Sequence, residues 1–156
     1  MTGTQHNSID YLCDLEQFGI KLGLENIKVI REALSFPDQS FTSIIVAGTN
    51  GKGSVAAMLD TALRSAGYTT GRFTSPHLVN LEERFYVHGT PVPYDELVAE
   101  VDHLRATVSQ LLMNGKLLTP PTFFEATTAI ALSLFRNAGV RVAVLEVGMG
   151  GRFDAT

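Results

Sequence analysis

The sequence from residue 41 to residue 66, FTSIIVAGTNGKGSVAAMLDTALRSA, predicts a strand, a glycine-rich turn and an amphipathic helix. The strand, Thr42-Ser43-Ile44-Ile45-Val46-Ala47, is short, largely apolar and β-branched at its centre, as expected for a parallel strand covered on both faces. The helix is indicated by apolar residues at helical spacing, with Gly67 as its natural end. These residues are Val55, Met58, Leu59, Ala62, Leu63 and Ala66. The order of strand, turn and helix indicates an α/β domain.

The turn Gly48-Thr49-Asn50-Gly51-Lys52-Gly53-Ser54 has the composition of a phosphate-binding loop. Its glycines let backbone N–H groups approach an anion closely, because no Cβ stands in the way. Lys52 adds a positive charge, and the helix that follows adds the positive end of its dipole. The sequence therefore predicts that this turn holds a phosphate chain.

The loop differs from the common P-loop pattern in two respects. That pattern has four residues between its first glycine and the Gly-Lys pair, and a Ser or Thr directly after the lysine. Here Gly48 is closer to Gly51, and Gly53 separates Lys52 from Ser54. The alternative is an ordinary strand-to-helix turn with a surface lysine. The combination of three glycines with Lys and Ser favours the phosphate site.

Length and composition limit the class of protein. A chain of 156 residues with 45% hydrophobic residues and a mean hydropathy of +0.14 can bury one sizeable core, so we expect one domain. No apolar run approaches the ~20 residues of a membrane span. The net charge of −4, without a block of Lys or Arg, argues against a nucleic-acid or anionic-membrane surface. The polar amino terminus and the single Cys13 favour a reducing, cytoplasmic setting.

A second strand is predicted over residues 68–73, ending at Thr74-Ser75-Pro76-His77. Ligands of open parallel sheets gather at the carboxyl ends of strands, so Ser75 and His77 should lie at the same edge as the phosphate loop. The Ser75 hydroxyl could bind Mg²⁺, although Ser-Pro pairs also simply begin turns. His77 could equally be a solvated loop residue. Residues 85–92 predict a β-hairpin on the outside of the sheet.

A third strand is predicted over residues 140–147, and it carries an acid, Glu146, near its carboxyl end. A buried strand does not normally tolerate a carboxylate unless something pairs with it. Mg²⁺ bound to a nucleotide is the expected partner, directly or through water. A glycine-rich loop begins at Gly148.

Helices are predicted around this sheet. One begins near Ser8 and breaks near Gly19, a second begins at Glu25, and a third covers Tyr94 to Met113. The residues from Gly19 to Leu24 are typical of a plain connection between helices. Thr122-Phe123-Phe124-Glu125 has the form of a capping box ahead of a further helix, so helix capping is the first interpretation of Thr122 and Glu125. The two phenylalanines could be core, or one could offer its ring to a ligand.

Four motifs together resemble the folylpolyglutamate synthase and dihydrofolate synthase branch of the Mur ligase family. They are Ala47-Gly48-Thr49-Asn50-Gly51-Lys52-Gly53-Ser54, Phe73-Thr74-Ser75-Pro76-His77-Leu78, Thr122-Phe123-Phe124-Glu125 and residues 145–156. The phosphate loop has that family's form, including both departures from the common pattern. Any one motif alone is weak evidence, but four in the right order make the resemblance specific.

The resemblance implies an ATP-dependent amide ligase with Mg²⁺ and ATP as cofactors. ATP phosphorylates a pteroate or folate carboxylate, and the amine of L-glutamate displaces phosphate from the acyl phosphate. The implied ATP site is Thr49, Asn50, Gly51, Lys52, Gly53 and Ser54, with Lys52 also catalytic, and the implied Mg²⁺ ligands are Ser75 and Glu146. The implied site for the pterin-bearing substrate is Gly19, Ile20, Lys21, Leu22, Thr122, Phe123, Phe124, Glu125, Phe153, Asp154 and Ala155.

In members of that family the chain continues well past the last of these four motifs. They carry a metal-binding histidine, a carbamylated lysine that helps to hold a second Mg²⁺, and a separate carboxyl-terminal domain. We therefore expect residues 1–156 to form an incomplete amino-terminal ATP-binding domain, three-layered and P-loop NTPase-like, with a mostly parallel sheet and one uncovered edge. The carboxyl-terminal ligase domain is absent from this stretch, so this chain alone is expected to be inactive.

Two other hypotheses remain open. One is a cell-wall Mur ligase that acts on a nucleotide-linked peptide, although the Ser75-Pro76-His77 and Phe123-Phe124-Glu125 motifs count against it. The other is a nucleotide-binding module without catalysis. The expected partners are small molecules, namely folate or dihydropteroate, L-glutamate and ATP, with no nucleic acid and no membrane. The complete protein is expected to be a monomer.

Overall fold

The computed structural model describes residues 3–19, 23–148, 150 and 154–156. The helices are α1 (Gly3–Leu15), α2 (Glu25–Ala33), α3 (Lys52–Ser65), α4 (Tyr94–Met113) and α5 (Phe123–Asn137). The strands are β1 (Thr42–Val46), β2 (Thr70–Phe73), β3 (Phe85–Val87), β4 (Thr90–Pro91) and β5 (Val142–Glu146). Short 3₁₀ helices cover Glu16–Phe18, Pro37–Ser40 and Leu81–Arg84. Within these described residues, none of the helices combines the length and apolar composition needed to cross a membrane.

The five strands form one sheet in the order β1-β5-β2-β3-β4. The strands β1, β5 and β2 are parallel, and the hairpin β3–β4 continues the sheet in antiparallel fashion beside β2. Val46 pairs with Glu146, and Phe73 pairs with Leu145. The carboxyl ends of the three parallel strands therefore lie at one edge, which confirms the predicted mostly parallel sheet and its hairpin.

Helices cover the sheet on both faces, which confirms the predicted three-layer α/β fold. Helix α3 packs against β1, β5 and β2, whereas α5 lies between the sheet and the outer helices α1, α2 and α4. Successive side chains of β5 point to opposite faces of the sheet and so enter two different hydrophobic clusters. Ala143 and Leu145 belong to the large cluster that includes α5, whereas Val144 belongs to a small cluster with Ala56 of α3. Glu146 is two residues after Val144, so its side chain points to the same face of the sheet, the face that packs against α3.

Strand β1 is more exposed than the sequence predicted. Thr42 and Ser43 are exposed, and Ile45 is 49% exposed. Among the described residues β1 pairs with β5 alone, and the opposite side of β1 is an uncovered edge. The prediction of a strand covered on both faces was therefore wrong, because apolar composition does not show how many neighbours a strand has.

Helix α3 begins at Lys52, two residues before Ser54, and its contact with the sheet uses small residues. Ala56 and Asp60 are buried, and Gly53 lies against the end of β5. Val55 and Met58, which were predicted to form the buried stripe, are exposed. Leu59 and Leu63 from the same stripe do pack against the small core. Small side chains let the helix approach the sheet closely, which a count of apolar residues does not reveal.

A buried cluster of charges fixes α3 against β2. Asp60 is 1% exposed, and its Oδ1 accepts a hydrogen bond of 2.5 Å from the Thr70 hydroxyl. Its Oδ2 accepts from Arg64 Nε at 3.3 Å and lies 3.8 Å from the Arg72 NH1. Arg72 in turn stacks over the Tyr86 ring at 4.0 Å. These contacts join the helix that begins at the phosphate loop to two strands of the sheet.

Candidate functional site

The loop predicted to bind phosphate, residues 48–54, joins β1 to α3 at the carboxyl edge of the sheet. Gly51 adopts a φ of 73°, a left-handed conformation that favours glycine, and no side chain caps the helix. The first intrahelical bond runs from Val55 N to Gly51 O at 3.0 Å. The N–H groups of Lys52, Gly53 and Ser54 therefore have no partner within the helix and can turn to a ligand.

Lys52 is the first residue of α3, and its side chain is half-buried. Among the described residues, no hydrogen bond or ion pair engages its ammonium group. An ammonium group without a protein partner, next to uncapped helix N–H groups, is suited to a phosphate oxygen.

Glu146 lies beside this loop, at the end of β5. Its side chain is 4% exposed, and its Oε2 accepts a hydrogen bond of 3.1 Å from the backbone N–H of Ser75. A Cβ placed on Gly53 would lie 3.5 Å from the same oxygen. The carboxylate is therefore held between the first turn of α3 and the loop after β2. The described residues give it no ion pair, and a buried carboxylate without one is suited to a bound cation.

Ser75 follows β2 in a loop that contains a cis peptide bond between Ser75 and Pro76. Its backbone is next to Glu146, so its hydroxyl lies near the same carboxylate. Among the described residues there is no cluster of three or more His, Cys, Asp or Glu residues that could hold a metal. Mg²⁺ does not require one, since it typically uses one or two protein ligands together with phosphate oxygens and water. The two predicted ligands therefore fit Mg²⁺ on a nucleotide.

Thr122 and Glu125 form the capping box that the sequence predicted. The Glu125 carboxylate accepts from Thr122 N at 2.8 Å, and the Thr122 hydroxyl accepts from Glu125 N at 3.2 Å. Both residues are buried, and they begin α5. A role in substrate binding remains a prediction for this turn.

The two phenylalanines of this turn have different surroundings. The Phe124 ring stacks 5.9 Å from the Phe73 ring, and a Cβ on Gly148 would come within 2.7 Å of it. Only glycine permits this approach without a shift of the ring. Phe124 therefore joins β2 to the loop after β5. Phe123 lies instead under the guanidinium group of Arg84, 4.9 Å from the ring centre.

The remaining predicted substrate residues are described only in part. Gly19 ends a 3₁₀ helix with a φ of 64°, and Asp154 accepts hydrogen bonds from the backbone and hydroxyl of Thr156 at 3.0 and 2.7 Å. Asp154 and Ala155 line a cavity of about 220 Å³ that does not reach the capping box. Ile20, Lys21, Leu22 and Phe153 lie outside the described residues. The substrate site as a whole stays a prediction.

Sequence reasoning missed Arg84, which is 7% exposed at this edge of the sheet. Its Nε donates a hydrogen bond of 2.8 Å to His77 Nδ1. Burial lowers the pKa of the Arg84 guanidinium, and Glu16 and Glu146 partly offset that shift. The sequence Leu81-Glu82-Glu83-Arg84 reads as a charged surface turn, so nothing in it signals a buried arginine.

Glu83 organises the loop between Ser75 and Arg84. Its carboxylate accepts hydrogen bonds from the backbone N–H groups of Leu78, Val79 and Asn80 at 2.6, 3.1 and 2.9 Å. The bond from Asn80, followed by that from Leu78, lowers the pKa of Glu83 below 4.5. The charged form of Glu83 therefore holds the loop that carries His77.

This lowered pKa predicts a pH-dependent loop. A depressed pKa means that the carboxylate supports the loop above the unfolded-state value of 4.5 and loses that effect as pH falls through the lower folded value. We expect the amide NMR signals of Leu78, Val79 and Asn80 to move together on acidification, with a midpoint below 4.5. Glu83→Gln should remove this transition. A midpoint at or above 4.5 in the unsubstituted chain would contradict the assignment.

Known proteins are similar to this chain in sequence and in fold. A probable bifunctional folylpolyglutamate synthase/dihydropteroate synthase of Haloferax volcanii is 43% identical over 151 residues, which are 97% of this chain and 18% of that protein. A dihydrofolate synthase/folylpolyglutamate synthase of Bacillus subtilis is 39% identical over 141 residues, covering 90% of this chain and 32% of that protein. The chain is homologous to the folylpolyglutamate and dihydrofolate synthases. The resemblance inferred from the four motifs is thus confirmed.

Solved structures of this family have the same fold. A folylpolyglutamate synthase of Mycobacterium tuberculosis complexed with ADP matches with a TM-score of 0.87 and 36% identity, over 97% of this chain and 34% of that protein. No family model matches the chain. The chain spans between about a fifth and a third of the length of these folylpolyglutamate and dihydrofolate synthases.

Proposed function

We propose that this chain supplies the ATP-phosphate loop and part of the Mg²⁺ site of a ligase that joins L-glutamate to a folate or to dihydropteroate. One observation carries the proposal: the Glu146 carboxylate is buried against Gly53 of the phosphate loop and bonded to the Ser75 backbone, and among the described residues it forms no salt bridge, although its charge reaches Arg84. The names of the homologues supply the substrate class. A related structure contains Mn, AMPPNP and L-glutamate, which agrees with a nucleotide and a divalent metal.

The proposed ligation has two steps, formation of an acyl phosphate and formation of the amide. In the first, an oxygen of the substrate carboxylate attacks the terminal phosphorus of ATP, the bond to ADP breaks, and an acyl phosphate forms. In the second, the amine of L-glutamate attacks the acyl carbon, inorganic phosphate leaves, the amine loses a proton, and an amide remains. Both steps concentrate negative charge on phosphoryl oxygens, so positioning and neutralisation are the main tasks of the protein.

The residues of this chain are suited to those tasks. The uncapped N–H groups of Lys52, Gly53 and Ser54, with Thr49 and Asn50 in the preceding turn, would hold the phosphate chain. The Lys52 ammonium would balance charge on the transferred phosphoryl group. Ser75 and Glu146 would hold Mg²⁺, which when bound neutralises phosphate charge and orients the terminal phosphate. Burial of Glu146 strengthens its attraction for a cation, because little water screens it.

The residues for the pterin-bearing substrate are a further part of the proposal. Gly19, Ile20, Lys21, Leu22, Phe153, Asp154 and Ala155, with the turn Thr122-Phe123-Phe124-Glu125, would hold the pterin-bearing substrate. Because the Thr122 and Glu125 side chains each accept a hydrogen bond from the backbone N–H of the other residue, the turn would act mainly through its remaining backbone groups and the phenylalanine rings.

The setting of the protein is also part of the proposal. We infer a cytoplasmic enzyme, monomeric in its complete form, that binds small molecules rather than nucleic acid or membranes. The acidic net charge of −4 and the single, exposed Cys13 support this view. Residues 1–156 would form an incomplete ATP-binding domain of that enzyme.

Glutamate incorporation tests the proposal. Labelled L-glutamate, MgATP and either dihydropteroate or tetrahydrofolate are supplied to this chain and to a chain extended past Thr156 by the codons that follow in its gene. We expect turnover by the extended chain and none by the short one. Turnover by neither chain, with MgATP still bound, would instead indicate a nucleotide-binding module. Equal turnover by both would show that the short chain is not an incomplete domain.

A further inference from the structure

Arg84 joins two parts of the proposed site that are far apart in sequence. Its Nε donates to His77 Nδ1 at 2.8 Å, in the loop that also carries Ser75. Its guanidinium group lies 4.9 Å from the centre of the Phe123 ring, at the first residue of α5. One side chain therefore contacts both the loop beside the proposed metal ligands and the turn proposed to bind the substrate.

The surroundings of Arg84 make these contacts strong. The residue is 7% exposed, so its charge is poorly hydrated and a stacked aromatic ring is worth more than it is at a surface. Arginine keeps its proton at neutral pH even when burial lowers its pKa. Since Arg84 Nε–H is the donor, His77 Nδ1 is the acceptor, and the neutral imidazole then carries its proton on Nε2. The orientation of His77 is therefore set by Arg84.

No other described contact performs this bridging. Glu83 holds residues 78–80 from within the same loop, and Phe124 packs on Phe73 and Gly148 at the far side of the turn. Neither links His77 to Phe123. The NH1 and NH2 groups of Arg84 have no hydrogen-bond partner among the described residues, so the guanidinium has capacity left beyond its two contacts.

We propose that Arg84 is a positioning residue for the pterin-bearing substrate, which it serves by holding the Phe123 ring against the His77 loop. This inference rests on the proposed function. It assigns Arg84 no contact with the phosphate loop, whose groups belong to α3 and the turn before it. The charge of Glu146 acts on Arg84 without a salt bridge between them, so loss of Arg84 should weaken the use of the folate-class substrate far more than the use of ATP.

The test is steady-state kinetics of Arg84→Met and Arg84→Lys in the extended chain. Met keeps the length of the side chain but loses the charge and the Nε–H group. We expect its KM for the folate-class substrate to rise roughly 10- to 30-fold, as loss of a desolvated cation–π contact predicts, with the KM for ATP changed less than about threefold. Lys keeps a charge for the ring but cannot also bond His77 as Arg does, so it should give a smaller rise.

A matched control is available in Arg141, which stacks over Tyr68 at 5.4 Å, at the amino end of β5 and away from the site. Arg141→Met should leave both KM values unchanged. A purely structural role for Arg84 would lower the amount of active enzyme and hence the apparent kcat, without a selective change in one KM. An unchanged KM for the folate-class substrate, or an equal rise for ATP, overturns the inference.

A double-mutant cycle that combines Arg84→Met with Phe123→Leu tests separately whether Arg84 acts through the Phe123 ring. If Arg84 acts through the ring, the two substitutions should be non-additive, and Arg84→Met should have little further effect once Phe123 is Leu. Fully additive effects overturn the inference. Turnover by the unsubstituted extended chain distinguishes a failure of the proposed function from a failure of the Arg84 inference. Without it the proposed function fails and this inference with it, whereas turnover with additive effects leaves the function standing and removes Arg84.

Discussion

Lys52→Ala should remove most of the affinity of this chain for MgATP. The Lys52 ammonium is engaged by no other described residue and lies beside the uncapped N–H groups at the start of α3. A hydrogen bond to a charged group is worth about 1.5–3 kcal/mol, so binding should weaken by roughly 10- to 100-fold. Turnover by the extended chain should fall by at least about 100-fold, because negative charge on the phosphoryl oxygens increases during transfer.

Titration calorimetry with MgATP and with MgADP measures this loss directly on the short chain. Lys116→Ala is a matched control, because Lys116 is an exposed lysine just after α4 and far in sequence from the loop. Thermal unfolding should be nearly unchanged in both variants, since neither ammonium has a described partner to lose. Wild-type affinity in Lys52→Ala would remove Lys52 from the phosphate site.

The conformation of the proposed phosphate loop could be predicted from sequence because its features are local. Gly51 provides the left-handed turn, Lys52 opens the helix, and both depend on neighbours a few residues away. The capping box of Thr122 and Glu125 and the bounds of α4 are local in the same sense. The placement of Glu146 on the α3 face also follows from the alternation of a strand.

Features that depend on distant parts of the chain could not be predicted in this way. The exposure of Ile45 is set by which strands flank β1, and the burial of Arg84 is set by the packing of α5 across the loop. Neither the order of the strands nor the packing of α5 leaves a periodic pattern in the sequence. The exposure of Val55 and Met58 has the same origin, because Gly53 and Ala56 let α3 lie close to the sheet. Sequence thus predicted the conformation of the loop around Gly51 and missed the burial of Arg84.

Two buried carboxylates between α3 and the sheet, Glu146 and Asp60, should respond to substitution in opposite ways. Glu146 has a backbone N–H as its hydrogen-bond partner and no described ion pair, whereas Asp60 lies among Thr70, Arg64 and Arg72. The first arrangement leaves a charge available to a metal, and the second neutralises its charge within the protein. The difference separates a binding role from a structural one.

Glu146→Gln should weaken the Mg²⁺ dependence of nucleotide binding with little loss of stability. The amide oxygen of Gln can still accept from the Ser75 N–H, but it offers Mg²⁺ no charge, so the apparent Mg²⁺ affinity should fall at least about tenfold. Asp60→Asn should do the reverse. It should cost about 2 kcal/mol of unfolding free energy, because the buried Asp60 carboxylate loses the charge that holds the partly buried Arg72 and Arg64, and Mg²⁺ affinity should be unchanged.

Mg²⁺ titrations at fixed ATP, followed by calorimetry, and chemical denaturation of both variants measure the two quantities side by side. Ser75 offers a further check, since Ser75→Ala removes only the hydroxyl and retains the backbone bond to Glu146. It should weaken Mg²⁺ binding less than Glu146→Gln does, because a neutral ligand contributes less than a carboxylate. If Glu146→Gln destabilised the fold as Asp60→Asn does and left Mg²⁺ binding intact, Glu146 would be a structural carboxylate and the metal would have to bind elsewhere.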